Sequence, residues 1–470
     1  MKMQQKLFLG TGSILGTVLF CQQLLAATPE YLENEAPAST SLKNQPRPFA
    51  QLIEEDQGIL RERGFLIPNL DKYFPNRPHF FRQVRLNMKL RNNYLYRDND
   101  TKTNSINEAW AQAANFYFQS GWIKEHVRLG ATIYTSIKLY GQEDRGGTQL
   151  LQPVQDSYNL PFEPHLEAKW GSIQARLYKQ ELNMPYLNKD DVRNSPNSFE
   201  SLVIYGKNMQ GTDFLTQSTK MQGFDWMLGE TNKIRKRDSE DFQPMSEAAG
   251  AANSDEGVTS AGGRWKGDNL SIGAINHYGH NTMDILFSGI SIAKKIDKEF
   301  SLDLSGQYTH QQDVGAALLG KIDTNLFGVS ATTEYKGALA SVAWSNTSGT
   351  GSIRSPWGGH SNYASLMLSD FDRAHEQAWL LSLAYDLSKI GYTGWLASTK
   401  YAIGNTPDQG SKASPDQQEV DVGLQYGVKS GGWKNLTVRF RLGWNDQMNS
   451  VAEKDRGFAR FIVDYPLPLL

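Results

Sequence analysis

Near the C-terminus, Leu436, Val438, Phe440, Leu442 and Trp444 alternate one by one with Thr437, Arg439, Arg441 and Gly443. A two-residue period places every second side chain on one face of an extended strand, so this stretch has an apolar face and a strongly basic one. The pattern recurs in Val84, Leu86, Met88 and Leu90 against Arg85, Asn87, Lys89 and Arg91, and in Val127, Leu129, Ala131 and Ile133 against Arg128, Gly130 and Thr132. It recurs again in Val420 to Val428 against Asp421 to Lys429, and in Trp395 to Ile403 around Lys400. No comparable helical period runs beyond the N-terminus, apart from a short piece near Phe49 to Arg63. After the N-terminus no apolar run reaches about 18 residues, so any crossing of a membrane requires a closed sheet.

The N-terminus has the form of a secretory leader: Lys2 and Lys6, then the apolar run Leu7 to Phe20, then small residues at Ala26 and Ala27. A leader over 1–27 is expected to be cleaved near Ala27. The single cysteine, Cys21, follows Phe20 rather than a small residue, which argues against lipidation. The mature chain then carries no disulfide and no thiolate chemistry. Residues 28–80, punctuated by Pro29, Pro37, Pro46, Pro48, Pro68, Pro75 and Pro78, read as an irregular extension, and 81–470 as the strand-rich domain.

Connections alternate between tight ones, such as Trp170-Gly171-Ser172 and Ser430-Gly431-Gly432, and long polar ones, at Glu181 to Ser198, Ser239 to Gly263 and Asn346 to Asn362. Short turns at one end and long loops at the other are the outer-membrane barrel arrangement. Within the second long loop, Ser246 to Gly263 is expected to be a mobile external segment. A soluble sandwich or propeller would show the same alternation. Basic residues and glycine on the polar face, with aromatics at strand ends (Tyr94, Tyr96, Phe116, Phe118, Trp444, Tyr465), favour the all-β transmembrane antiparallel barrel.

In a closed barrel the last strand meets the first. Closure would gather Arg85, Lys89 and Arg91 with Arg460, Arg439, Arg441, Lys429 and Lys400 on one sector of the lumen wall, in a chain of net charge -2. Successive cations let a carboxylate move without losing charge compensation, provided no single site holds it too tightly. The alternative is ordinary pairing with Asp421 and Asp464 for stability. Met184 to Pro196, containing Asp190, Asp191 and Arg193, is the candidate for a loop folded inward. A solvated surface loop accounts for its charge content more simply. Asp190-Asp191 lacks a glycine-punctuated acidic loop for calcium, and His277 and His280 sit on opposite faces of a strand. No Ser/His/Asp grouping, cofactor motif or metal set is discernible, and nothing indicates nucleic acid. The expected partners are outer-membrane lipid and small anionic or zwitterionic solutes. A structural or adhesive barrel with its lumen blocked by the extension, and an outer-membrane hydrolase, are the competing functions.

Several segments, in order, resemble the OprD family of substrate-specific outer-membrane porins. They are Leu90-Arg91-Asn92-Asn93-Tyr94 with Arg97-Asp98, Trp110-Ala111-Gln112, Gln119-Ser120-Gly121, Asp191-Val192-Arg193 with Pro196 and Ser198-Phe199-Glu200. Ser369-Asp370-Phe371 with Glu376-Gln377-Ala378-Trp379 and the closing Ile462-Val463-Asp464-Tyr465-Pro466-Leu467 complete the set. The resemblance implies a barrel of about 18 strands in a Gram-negative outer membrane, a monomeric pore sometimes in loose trimers. It implies uptake of carboxylates or amino acids past a basic ladder and a narrow eyelet. The eyelet would draw Arg193 from one loop and Ser365 and Asp370 from another. Leu368 stands where the family has tyrosine, and Asn194-Ser195-Pro196 replaces the family's Leu-Leu-Pro after the arginine. Both departures bear on which solute is carried.

Overall fold

The computed structural model describes residues 79–99, 106–159, 162–206, 222–297, 299–359, 361–448 and 455–469. The leader, its cleavage site, the extension to residue 78 and the helical piece near Phe49 to Arg63 lie outside the described residues. A single helical turn, α1 (His79–Arg82), precedes the wall.

The strands are β1 (Arg85–Asp98), β2 (Ile106–Gln119), β3 (Val127–Ile133), β4 (Thr135–Tyr140), β5 (Tyr158–Asn159), β6 (Glu163–Trp170), β7 (Ile173–Gln180), β8 (Asn183–Met184), β9 (Leu187–Asn188), β10 (Ser198–Gly206), β11 (Gly223–Arg235) and β12 (Gln243–Pro244). They continue as β13 (Val258–Lys266), β14 (Leu270–Gly279), β15 (Met283–Lys295), β16 (Phe300–Asp313), β17 (Asp323–Tyr335), β18 (Ala338–Gly349), β19 (Gln377–Asp386), β20 (Trp395–Asn405), β21 (Gln417–Gly427), β22 (Thr437–Gln447) and β23 (Arg456–Pro468). Each wall strand pairs antiparallel with its neighbours, and β1 pairs with β23 from Asn87↔Pro468 to Asp98↔Gly457, which closes the sheet. With β4 continuing β3, and β5 and β12 as short pieces, the wall is an 18-stranded barrel. Closure leaves no edge and satisfies the backbone internally, as hydrocarbon requires.

Chain ends and tight turns share one end. Tyr335 pairs with Ala338 across Lys336-Gly337, both at positive φ (48° and 86°), a two-residue hairpin that fits the strand twist. That end is periplasmic by the usual asymmetry of such barrels. Outward positions are apolar and exposed throughout: Phe224, Ile290, Leu304, Phe327, Leu381, Val422 and Phe440, with Trp444 at 66% and Trp379 at 54%.

The inward face departs from the simple alternation. On β20 to β23 and β1 it is mainly polar and charged, with Leu95, Ala402, Phe458 and Ile462 interspersed. On β10, β11, β14, β15 and β17 it carries Val203, Met227, Ile275, Ile285 and Leu326, all fully buried or nearly so. These pack with Leu182, Met184, Tyr186, Leu187, Met245, Ile353 and Trp357, contributed by loops turned into the barrel. Period two identifies a face but cannot say what covers it. The Ser246 to Gly263 segment is not a mobile external loop. Met245–Ala249 forms α2, with Met245, Ser246 and Ala248 buried, and Val258 onward is strand. Alanine and methionine there have an apolar surface to cover, which composition does not reveal.

Candidate functional site

The connection between β7 and β10 folds inward. Its β8–β9 hairpin pairs Asn183↔Asn188 and Met184↔Leu187, turning at Tyr186 with φ 62°. The tip is fixed to the apolar wall: His277 contacts Pro185 O through Nε2 at 2.8 Å and Ser260 Oγ through Nδ1 at 2.8 Å, and Tyr186 Oη lies 2.9 Å from Thr309 Oγ1. His280, by contrast, sits beyond the strand end beside Thr259, so the two histidines do not converge. At the loop's far end Arg235 donates to Pro196 O and pairs with Glu163 at 2.7 Å, both side chains wholly buried. Breaking one side of such a pair costs about 3–5 kcal/mol. The loop is therefore an internal element, and the solvated alternative is excluded.

Between these anchors lies Asp190 to Arg193, against the charged wall. The Asp191 carboxylate bridges Lys89 Nζ at 2.9 Å and Arg91 Nη1 at 2.8 Å. Burial opposes its ionisation, but Arg91 and then Lys89 overcome that and hold the carboxyl below the ordinary aspartate range. Arg91 also pairs through Nε with Asp464 at 2.6 Å, and Arg439 Nη1 lies 3.5 Å from the same carboxylate. Loop carbonyls take further donors: Arg91 donates to Arg193 O, and Arg460 to Val192 O.

Arg193 and Arg460 donate to neutral oxygens. Arg460, 5% exposed, donates to Asn93 Oδ1 at 3.2 Å and to Val192 O. Arg193, 7% exposed, donates to Thr148 O at 2.8 Å and Val192 O at 3.2 Å. Burial, then Arg237 and Arg97, pull the Arg193 pKa well below its ordinary value. A buried cation among cations is a favourable place for an added anion.

The connection between β18 and β19 also turns inward. Ser365 Oγ donates to Asp370 Oδ1 at 2.6 Å. Met367 N donates to Asp421 Oδ2 at 3.2 Å and Leu368 N to Glu419 Oε1 at 2.7 Å, so backbone amides meet two buried carboxylates of β21. Tyr363, Ala364, Leu366 and Phe371 pack on Ala343, Ala378, Leu380 and Ala402 of the wall behind.

The structure thus brings Lys89, Arg91, Arg439, Arg441 and Arg460 together on adjacent inward positions: Arg441 is in register with Arg460, Arg439 with Ile462, and Arg91 with Asp464. Lys400 pairs in register with Asp421 on the same inward face. Arg85 is exposed at the start of β1. Lys429 is displaced from its expected strand position, because β21 ends at Gly427 and leaves Lys429 exposed in the periplasmic turn. Alternation alone cannot place the end of a hairpin. Asp190 is drawn to Arg237 at 2.5 Å, whereas Asp191 faces the wall. Two cations escaped the sequence reading. Arg97 and Arg456 continue the inward parity of β1 and β23 toward the outer end, and Arg97 Nε is buried with no hydrogen-bond partner. Extending each alternation to its strand end would have found both.

A closed barrel of 18 strands, apolar outside and charged within, with two long loops folded into the lumen, defines a substrate-selective outer-membrane channel. The comparisons agree. The model for the outer membrane porin, OprD family, matches residues 78–469, and the chain belongs to that family. It is 25% identical to Porin D of Pseudomonas aeruginosa over 423 residues, 83% of this chain and 92% of that one. Among solved structures, OpdK of Pseudomonas aeruginosa with vanillate superposes with a TM-score of 0.72 at 21% identity, over 83% of this chain and all of that one. A BenF-like porin from Pseudomonas fluorescens Pf-5 gives the same score, identity and coverage. The protein is an outer-membrane porin of a Gram-negative bacterium and not an enzyme.

Proposed function

We propose that this porin passes small carboxylate-bearing solutes by passive diffusion: amino acids, organic acids and carbapenem-like antibiotics. The observation that carries the reading is the pair of buried guanidiniums, Arg193 and Arg460, which donate to neutral oxygens. A solute carboxylate supplies the counter-charge. Arg97 and Arg456 stand on the outer side of this point, Arg441 is level with Arg460, and Arg439, Arg91 and Lys89 stand on the inner side, so the anion has a neighbouring cation at each step. Asp191 and Asp464 already neutralise the inner rungs in part, which keeps any single site from trapping the solute. The eyelet is assigned to Asp190, Asp191 and Arg193 on one loop and Ser365 and Asp370 on the other. That OpdK was crystallised with vanillate, itself a carboxylate, supports the class of solute.

Liposome swelling with carboxylates and the matching amides tests this. Replacing Arg439 and Arg441 by Gln should slow carboxylate entry more than amide entry; equal slowing rejects the ladder. We also assign residues 1–27 to a removed leader, 28–80 to an N-terminal extension and 81–470 to the barrel, and a monomer or loose trimer to the working pore. N-terminal sequencing and native mass of the purified protein decide these.

A further inference from the structure

The loops that carry Asp190–Arg193 and Ser365–Asp370 meet around Asn188. Leu187 forms a parallel bridge with Trp357, and Asn188 N donates to Trp357 O at 3.1 Å. The pairing then passes to the Asn188 side chain, whose Oδ1 accepts from Gly359 N at 2.9 Å while Nδ2 donates to Gly359 O at 3.2 Å. The amide thus gives Gly359 both bonds that a neighbouring strand residue would give. The same Oδ1 accepts from Asp190 N at 3.1 Å, and Nδ2 also donates to Met184 O at 3.2 Å. Asn188 O in turn accepts from Asn197 Nδ2 at 3.3 Å.

The approach is close. A Cβ on Gly358 would lie 2.6–2.7 Å from the Asn188 side chain and backbone N, so only glycine fits there. Trp357, fully buried, donates from Nε1 to Met245 O at 2.8 Å, which ties α2 to the same point.

We propose that Asn188 is a positioning residue that clasps the two inward loops into one body, so that the Asp190–Arg193 and Ser365–Asp370 segments keep a fixed separation. It needs no contact with solute. Through Asp190 N it sets the backbone that presents the carbonyls held by Arg91 and Arg460. Through Gly359 it sets the segment leading to Ser365. With the clasp intact the constriction has one geometry. Without it each loop keeps its own wall anchors, His277 and Arg235 for one and Asp421 and Glu419 for the other, and the two are joined only through the Leu187–Trp357 bridge and the Asn188 N bond to Trp357 O, so their relative position loosens.

The test is single-channel recording of the purified full chain in planar bilayers. Asn188→Ala should keep the main open level but switch between sub-levels roughly tenfold more often, as expected for about one to two net buried hydrogen bonds. Because Cys21 is the chain's only cysteine and lies in the proposed leader, Asn188→Cys with Gly359→Cys gives a clean second arm. Oxidised, this variant should be as steady as the wild type; reduced, as noisy as Asn188→Ala. Heat-modifiable gel mobility reports the folded barrel in every case. A folded Asn188→Ala pore as steady as wild type overturns the proposal. So does a double-cysteine variant that fails to oxidise, or one whose noise is the same in both redox states. If Asn188→Ala does not fold, the redox arm still decides.

Discussion

The lumen has two unlike walls. On β22, β23 and β1 the inward positions include Arg439, Arg441, Arg460, Asp464, Arg91 and Lys89, with Leu95, Phe458 and Ile462 among them; on β10 to β17 they include Val203, Met227, Ile275, Ile285 and Leu326. The outward faces of the two sectors are alike, because both meet hydrocarbon. Inside, the charged sector is held by ion pairs that leave two guanidiniums with neutral partners only, and the apolar sector is held by loops that fill it. Alternation therefore separates lipid from interior everywhere, whereas the chemistry of the interior depends on what else enters it. An apolar inward row is met by apolar loop residues, and the basic one by a loop carboxylate and loop carbonyls.

The contrast can be broken first on the apolar side. Trp357→Ala removes a fully buried ring and its bond to Met245 O, at a cost of about 3–5 kcal/mol. A lowered denaturant midpoint for the loops, faster proteolysis of 350–376 and a raised conductance in a still-folded barrel are expected; unchanged proteolysis would show that the loops do not depend on the apolar wall. On the charged side, Arg460→Gln removes a charged donor, worth roughly 1.5–3 kcal/mol toward an anion. Carboxylate flux in swelling assays should fall about tenfold or more while amide flux holds.

Smaller effects sharpen the boundary between the walls. Tyr186→Phe deletes one buried hydrogen bond to Thr309, about 0.5–1.5 kcal/mol, and should be seen only as faster loop proteolysis. Asp191 gives a pH test. Its folded pKa is depressed, so its stabilisation is complete above the ordinary aspartate value of about 3.9 and is lost as pH falls through the lower folded value. Channel noise should stay flat from neutral pH to about 5 and rise only below about 4, a rise that Asp191→Asn abolishes by being noisy at every pH. Lys429→Gln marks the lower end. Exposed in the periplasmic turn, it should leave carboxylate flux unchanged within error, and a marked fall would return it to the ladder.

The strand faces and the inward parity of Lys89, Arg91, Lys400, Arg439, Arg441 and Arg460 follow from a period of two, because a pleated strand has only two sides and hydrocarbon admits only one kind of side chain. That reasoning also contains Arg97 and Arg456, which share the parity of residues already chosen. Other features had no local signal. Lys429 left the wall because hairpin ends are set by turn geometry. Asp190 and Asp191, adjacent in sequence, took different partners, Arg237 and the Lys89–Arg91 pair, because a loop backbone can aim neighbours apart.

By itself the sequence determined strands with one apolar face and, through the ordered segments it shares with a family of porins, the barrel they build, since side-chain alternation is a local property. Only the tertiary structure decided which charges are neutralised, which loops enter and where they touch. Those outcomes join residues far apart in the chain, such as Arg91 with Asp464 and Asn188 with Gly359, and depend on a wall closed around them.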